Sequence, residues 1–389
     1  MLTPNLSVGG AERWVATLIR HSDPAELQWT GVALSGWGGV EPALCKEITE
    51  AGVPIYAEKI IQKTSKKQKP TPAAMSPDCE EWLIRTTNIV DAVEKASATA
   101  DVLIAWGDYK YRRFLKGPNS PNKFVLVSHS SHHKPHAIPP APYCETYLTA
   151  VSERAKVPYT FKDNPPTTVI YNGIDLERIK PQTPREMMRA MWCAQDKHVI
   201  GYVGRHTQEK NPGAAVKAMQ ILDNDYWRAV YYGNYPTGHR ASKDTVLHEA
   251  KSNPTPDVQF YEPIMEIGNV YAGIDVLMLA SHSEAFALTL LEGWLTKTPI
   301  VATPVGSVPE LQKRFGTLVI EVPMDPTAEQ LADACARAIG PEGDAIVARA
   351  YDVAMENFTA AKMAANWAAY LHRIVKPQPK PTLVEVLDL

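Results

Sequence analysis

Glu284 and Glu292 are separated by seven residues within SHSEAFALTLLEGWLTKTPIVATPVGSVPEL, residues 281–311. A strand ending near Leu279 feeds a helix starting near Phe286. In open α/β sheets, ligands collect in that strand-to-helix crevice. The free N–H groups of a first helical turn suit a phosphate or diphosphate. Glu292 then stands about one and a half turns into the helix, roughly 8–9 Å from its start at about 1.5 Å per residue. A diphosphate on this terminus would have a carboxylate on each side, one for sugar hydroxyls and one for a ribose diol. The spacing alone equally suits a capping Glu284 and a solvated Glu292, so the neighbouring residues must decide.

Other residues could serve the same chemistry. VGRHTQEKNP (203–212) ends a strand at Gly204 and places Arg205 and Lys210 on a turn before a Pro-led helix. Two cations beside a helix terminus can neutralise a leaving diphosphate, although in isolation they also read as surface charges. Gly9 and Gly10 precede a helix starting at Ala11, a second anion-binding terminus facing the first across a cleft. His129 ends the run KFVLVS, where an exposed imidazole could face that cleft or simply be structural. His132, His133 and His136 follow in a Pro-rich loop without a periodic face, so no metal site is expected. Lys59, Lys63, Lys66, Lys67 and Lys69 could touch anionic lipid headgroups or a phosphorylated acceptor. Most such runs are solvated.

The elements that must position these residues alternate along the chain. Short β-branched runs lie at 101–106, 123–128, 199–204, 228–233, 275–280 and 299–304. Helical stretches fall at 11–20, 211–222, 286–297, 327–339 and, with a break, 344–375. That order predicts an α/β protein with parallel sheets covered on both faces. At 389 residues two domains are expected. The boundary falls near 165–185, giving an N-terminal domain 1–170, a C-terminal domain 171–357, and a helix and tail over 358–389. Residues 59–77 read as a long exposed loop, and KPHAIPPAP (134–142) excludes a central strand or helix. Only Met1 and Leu2 precede TPNLSVGG, so the first strand is either a stub or truncated, and truncation is the expectation.

Composition sets outer bounds. A net charge of −3 gives no global attraction to nucleic acid or membrane. Five scattered cysteines without a C-x-x-C pair argue against a disulfide framework or a zinc cage. Neither a signal peptide nor a spanning run of about 20 apolar residues is legible, and a cytoplasmic location is expected, with peripheral contact at the inner membrane face left open through the 59–69 lysines.

The 281–311 segment resembles the signature of retaining glycosyltransferases with the GT-B architecture, the group 1 family often called family four. The family pattern is a serine, E-G-F-G-L, a second Glu, a small-residue helix, "TPVVA" and "GGVPE". Here it reads S-x-S-E-A-F-A-L-T-L-L-E-G and T-P-I-V-A-T-P-V-G-S-V-P-E. GGAERW (9–14), VSHS (127–130), TAVSERAK (149–156), YNGIDLERIKP (171–181), VGRHTQEKNP and VYAGIDVLMLAS (270–281) follow in the family's order. The resemblance spans about residues 3 to 375.

It implies two Rossmann-like parallel-sheet domains facing across a cleft, and transfer of a sugar from a nucleotide-sugar, UDP- or GDP-linked, to a glycan, lipid-linked or small-molecule acceptor. No other cofactor, no metal and no nucleic acid are implied. Catalytic roles carry over to Glu284, Arg205, Lys210 and His129. Donor contacts carry over to Gly9, Gly10, Gly204, Phe286, Ala287, Leu288 and Glu292. The final helix, about 358–375, would cross back onto the first domain. Ala285 and Ala287 replace the signature's glycines, and Ser307 stands where a second glycine is common, which points to altered specificity. An inactive nucleotide-sugar-binding scaffold and a nucleotide-sugar epimerase are the competing readings.

Overall fold

The alternation of apolar runs and amphipathic helices resolves into two parallel sheets, seen in a computed structural model. It describes residues 1–6, 9–35, 40–58, 81–107, 109–115, 120–130, 134–234 and 242–376. The five lysines at 59–69, the loop expected over 59–77, and His132 and His133 lie outside those residues.

The first sheet contains β1 (Leu2–Thr3), β2 (Val32–Leu34), β3 (Ile55–Glu58), β4 (Leu83–Thr86), β5 (Val102–Trp106), β6 (Lys123–Ser128), β7 (Glu145–Ala150) and β8 (Thr167–Val169). Its spatial order is β4-β3-β2-β1-β5-β6-β7-β8. The second contains β9 (His198–Val203), β10 (Trp227–Tyr232), β11 (Val258–Tyr261), β12 (Val276–Leu279), β13 (Ile300–Ala302) and β14 (Ile320–Glu321), ordered β11-β10-β9-β12-β13-β14. Every pairing between these strands is parallel. The strand order reverses between β1 and β5 and again between β9 and β12, and such reversals open a crevice at the strands' carboxyl ends.

The helices of the first domain are α1 (Gly10–His21), α2 (Pro42–Glu50), α3 (Ile89–Ser97) and the single turn α4 (Glu153–Lys156). Those of the second are α5 (Arg185–Met191), α6 (Gly213–Met219), α7 (Thr245–Ser252), α8 (Ile267–Gly273), α9 (Leu288–Leu295), α10 (Val308–Phe315), α11 (Ala328–Ala338) and α12 (Pro341–Asn357), and α13 (Ala360–Val375) follows. The break expected in the last long helical stretch is the pair Phe358–Thr359. Thr359 caps α13 by accepting from the Lys362 amide. β1 has two residues and lies in the middle of its sheet. Among the described residues no helix is long and apolar enough to cross a membrane.

The chain passes between the sheets twice at one place. The Ile174 amide donates to the Phe358 carbonyl (2.9 Å), and the Ala360 amide to the Ile174 carbonyl (2.8 Å). A Cβ on Gly173 would stand 2.3 Å from the Thr359 carbonyl oxygen, so only glycine allows the crossing to be this close. α13 then packs on α1, with the buried rings of Trp14 and Trp367 5.6 Å apart. Replacing Trp367 with Ala should lower unfolding free energy by roughly 3–5 kcal/mol, the usual range for a buried tryptophan. Urea unfolding followed by circular dichroism measures this, and a loss below about 1 kcal/mol would mean that α13 is not integral to the first domain's core.

Candidate functional site

The crevice between the sheets is a cavity of about 1000 Å³. Gly9, Gly10, His129, Gly204, Arg205, Lys210, Glu284, Phe286, Ala287, Leu288 and Glu292, the residues singled out from sequence, all line it. They reach it from the carboxyl ends of strands in both domains, as the two reversals of strand order require.

Two helix N-termini meet there. α9 begins at Leu288, two residues later than expected, and its N-cap is Ala287, which has no side-chain acceptor for the first-turn amides. α1 has Gly9 as its N-cap and is equally without a side-chain cap. A Cβ on Gly10 would lie 3.6 Å from Leu288 Cδ1, so the two ends approach closely across the cleft. The Glu12 carboxylate lies against Gly9, where a Cβ would sit 2.4 Å from it, so a larger residue there would have to displace that side chain. Each terminus carries about half a positive charge.

The cationic turn is stitched to the loop that follows β12. Gly204 has φ +148°, and a Cβ on Gly233 would fall 1.8 Å from its carbonyl oxygen. The Tyr202 hydroxyl donates to the Arg205 carbonyl (2.8 Å). Asn211, in the left-handed region at φ 45°, donates through Nδ2 to the Ala280 carbonyl (2.9 Å) at the end of β12. The amides of His282 and Ser283 donate to the Glu209 carbonyl (2.9 and 3.2 Å). Arg205 is exposed and lies 3.6 Å from the Glu209 carboxylate. Lys210 Nζ instead reaches Glu284 Oε2 at 2.5 Å, and Ser281 Oγ donates to Glu284 Oε1 (2.9 Å). Glu284 is buried and its carboxylate is held by these partners, so it is not the cap of α9.

Glu292 is not a solvated helix-face charge either. It is buried, ion-paired with the Arg178 guanidinium, and accepts from the Tyr271 hydroxyl at 2.8 Å. Burial pushes Arg178 down to about 10, leaving it a cation at neutral pH. Sequence reasoning passed over Arg178, Tyr271 and Ser281. Each stands inside a quoted landmark, but nothing local marks it as a partner of either glutamate.

His129 differs from the exposed imidazole expected. It is wedged between Trp14 (ring centroids 4.8 Å) and Trp106 (6.0 Å), and Nε2 is buried without a hydrogen bond. Burial pushes its pKa down to about 3. It reaches the cleft as a neutral ring. His136 stacks between Tyr109 and Tyr159 (6.5 and 6.0 Å). Among the described residues, no three His, Cys, Asp or Glu side chains converge as a metal cage would require.

Comparison with known proteins agrees with this geometry. Residues 197–340 match the family model described as glycosyl transferases group 1, which bears out the resemblance drawn from the landmarks. The lipopolysaccharide core biosynthesis mannosyltransferase LpsB of Rhizobium meliloti (strain 1021) is 31% identical over 151 residues, 38% of this chain and 43% of that protein. A D-inositol 3-phosphate glycosyltransferase of Saccharomonospora viridis is 31% identical over 188 residues, 46% of this chain and 43% of its own. The chain thus spans less than half the length of the curated relatives it matches. Anabaena Alr3699/HepE, solved in complex with UDP-glucose, has the same fold at a TM-score of 0.71 and 16% identity, over 96% of this chain and 99% of that one. A glycosyltransferase from Rickettsia africae ESF-5 superposes at 0.65 with 18% identity, over 97% and 98%. Two parallel-sheet domains in the GT-B arrangement are therefore the fold of this chain.

The state of His129 has a direct consequence. In the unfolded chain an imidazole binds its proton near pH 6.5, whereas here it does so only near 3. Its contribution to stability is therefore present above about pH 6.5 and is lost as pH falls towards 3. Nitrogen-15 NMR of the histidine-labelled protein should show a neutral ring for His129 throughout pH 5 to 8. A titration midpoint above 5 would contradict the packing described.

Proposed function

We propose that the protein is a glycosyltransferase that moves a sugar from a nucleotide-sugar donor to a hydroxyl-bearing acceptor within this cleft, with retention of anomeric configuration. The observation that carries this reading is the Lys210–Glu284 pair lying beside the uncapped N-terminus of α9. In this reading the donor diphosphate rests on the amides of Leu288 and its neighbours, between α9 and the Gly9–Gly10 end of α1. Arg205 and Lys210 stabilise the negative charge that grows as the sugar–phosphate bond breaks. An ammonium has three donors, so Lys210 can bridge Glu284 and a phosphate oxygen together. Glu284 orients the transferred sugar through its hydroxyls.

Glu292 takes the ribose diol. Arg178 and Tyr271 occupy one lone pair on each of its oxygens, and an ionised carboxylate offers about four such sites, so both oxygens can still accept from the diol. His129 and Trp106 lie on the acceptor side, where a neutral imidazole can hydrogen-bond a sugar hydroxyl. Attack comes from the face the diphosphate leaves, with a departing phosphate oxygen taking the acceptor's proton. The described cleft offers cations and helix termini for the leaving charge, and this design needs no divalent ion.

The relatives support the substrate class. LpsB is named for lipopolysaccharide core mannosylation, and the Saccharomonospora protein for transfer to an inositol phosphate. HepE is described with UDP-glucose bound. These names support, by analogy, a UDP- or GDP-sugar donor and a glycan, lipid-linked or small-molecule acceptor for this chain.

The test is nucleoside diphosphate release from UDP-, GDP-, ADP- and dTDP-sugars, for wild type, Glu284→Ala and Lys210→Ala. One donor should be hydrolysed slowly, and each variant should lose about 10²–10³-fold, the usual effect of removing a preorganised charge contact. Wild-type levels of release in both variants would refute the assigned roles. If the wild type neither releases diphosphate nor binds any of the four donors by calorimetry, the protein is a scaffold on this fold.

A further inference from the structure

The loop carrying Glu284 is held from the opposite domain. Ser152 is the buried residue ahead of α4, and its Oγ accepts from the Ala155 amide at 3.0 Å. The same hydroxyl donates to the carbonyl of Ala285 at 2.7 Å, across the cleft and 133 residues away in sequence. Only a hydroxyl both accepts and donates from one atom in this way. On the loop's other side is Gly306 at φ +61°, where a Cβ would lie 2.7 Å from Glu284 Cβ and 3.2 Å from the Ala285 oxygen. Ala285, directly after Glu284, is thus gripped between Gly306 of its own domain and Ser152 of the other.

A second contact crosses beside the first. Glu310, in the first turn of α10, accepts through Oε2 from the Glu153 amide at 2.8 Å. The Tyr171 ring of the crossover faces the same carboxyl and packs on Phe286 at 5.9 Å.

We infer that Ser152 and Glu310 form a clamp between the domains, in which Ser152 is a positioning residue that sets the Glu284 loop only when the domains are closed. The inference rests on the proposed role of Glu284 at the donor. Closure and donor-site geometry become one event. Opening the cleft leaves the Ala285 carbonyl without its partner and frees the loop to turn.

The Glu310 contact makes the clamp depend on pH. Burial pushes its carboxyl up to about 7, against the pull of the Tyr171 hydroxyl and the α4 amides, while the Glu153 carboxylate adds to the rise. The Arg154 amide donates to the same carboxyl, and Arg314 on the same helix places its positive charge near the Tyr171 hydroxyl. In an open cleft, Glu310 returns to the ordinary carboxylate range. The closed form therefore takes up a proton, so closure is strongest below the ordinary carboxylate value of 4.5, weakens as pH rises from there, and has lost this contribution once pH passes about 7.

Hydrogen–deuterium exchange of the full chain tests this without requiring turnover. In Ser152→Ala, amides in residues 283–289 should exchange about fivefold faster, the effect of losing one hydrogen bond, while those of β9 and β10 stay unchanged. Ser152→Thr should restore the wild-type rate. In the wild type, exchange over 283–289 relative to the intrinsic chemical rate should rise between pH 6 and pH 8, and Glu310→Gln should abolish that rise. Equal exchange in wild type and Ser152→Ala would overturn the clamp, and a flat wild-type pH profile would overturn its Glu310 half. On whichever nucleotide-sugar the wild type hydrolyses, Ser152→Ala should lower kcat more than it raises KM. A protein that shows the exchange pattern yet hydrolyses no donor would keep the clamp and lose the glycosyltransferase reading.

Discussion

Two helix N-termini whose cap residues have no side-chain acceptor point into one gap, and most of the site can be understood as an answer to that. An α-helix leaves its first amides unsatisfied, and a Ser, Thr, Asp or Asn cap in place of Ala typically gains about 1 kcal/mol. Here the caps are Gly9 and Ala287, neither of which can accept a hydrogen bond from those amides. Asn88, Asp244, Thr327 and Thr359 cap α3, α7, α11 and α13 through their side chains, whereas α5, α6, α8, α10 and α12 have no side-chain cap either. What sets α1 and α9 apart is that their ends face each other across the cleft. Two facing helix ends of this kind suit an anion between them.

The carboxylates obey a complementary constraint. A charge taken out of water needs a partner and hydrogen bonds. Glu284 has Lys210 and Ser281, and Glu292 has Arg178 and Tyr271. Each glutamate is thereby fixed on one side while facing the cleft on the other. Lys210 and Arg178 reach their partners from different segments, the turn after β9 and the crossover between domains. The two cleft carboxylates are therefore held partly by the second domain's own sheet and partly by the crossover between domains.

What could be read from the sequence follows from the range of the interactions involved. β5, β6, β9 and β10 are runs of five or six residues with near-continuous apolar character, and each was legible to within a residue or two. β1, β2, β8 and β14 have two or three residues, too few to show a period, and owe their pairing to neighbours distant in sequence. The E-x7-E pair was legible because both residues sit on one strand–helix unit. Arg178 lies 114 residues from Glu292, and Ser152 lies 133 from Ala285. No local pattern can announce such pairs. His129 follows a strand end as read, but its enclosure by Trp14 and Trp106 depends on α1 and β5 converging there, which leaves the ring half-buried at the cleft rather than exposed.

The crossover ties these parts into one device. Asp175 lies in the segment that leaves the first domain, where a hydrogen bond from the imidazole of His21 at 3.2 Å holds its carboxyl down at about 2, with the Arg20 guanidinium 3.5 Å away. Three residues later, Arg178 grips Glu292. The same short segment therefore reads the position of α1 through Asp175 and the position of α9 through Arg178. It is also pinned against the return crossing by the Ile174 hydrogen bonds. Rotating the domains about this crossing must move the Asp175 and Arg178 attachments relative to each other, so Glu292 feels the crossing just as the Glu284 loop feels Ser152. A donor that engages both glutamates would meet its full set of contacts only in the closed arrangement, and its binding energy would then act directly on closure.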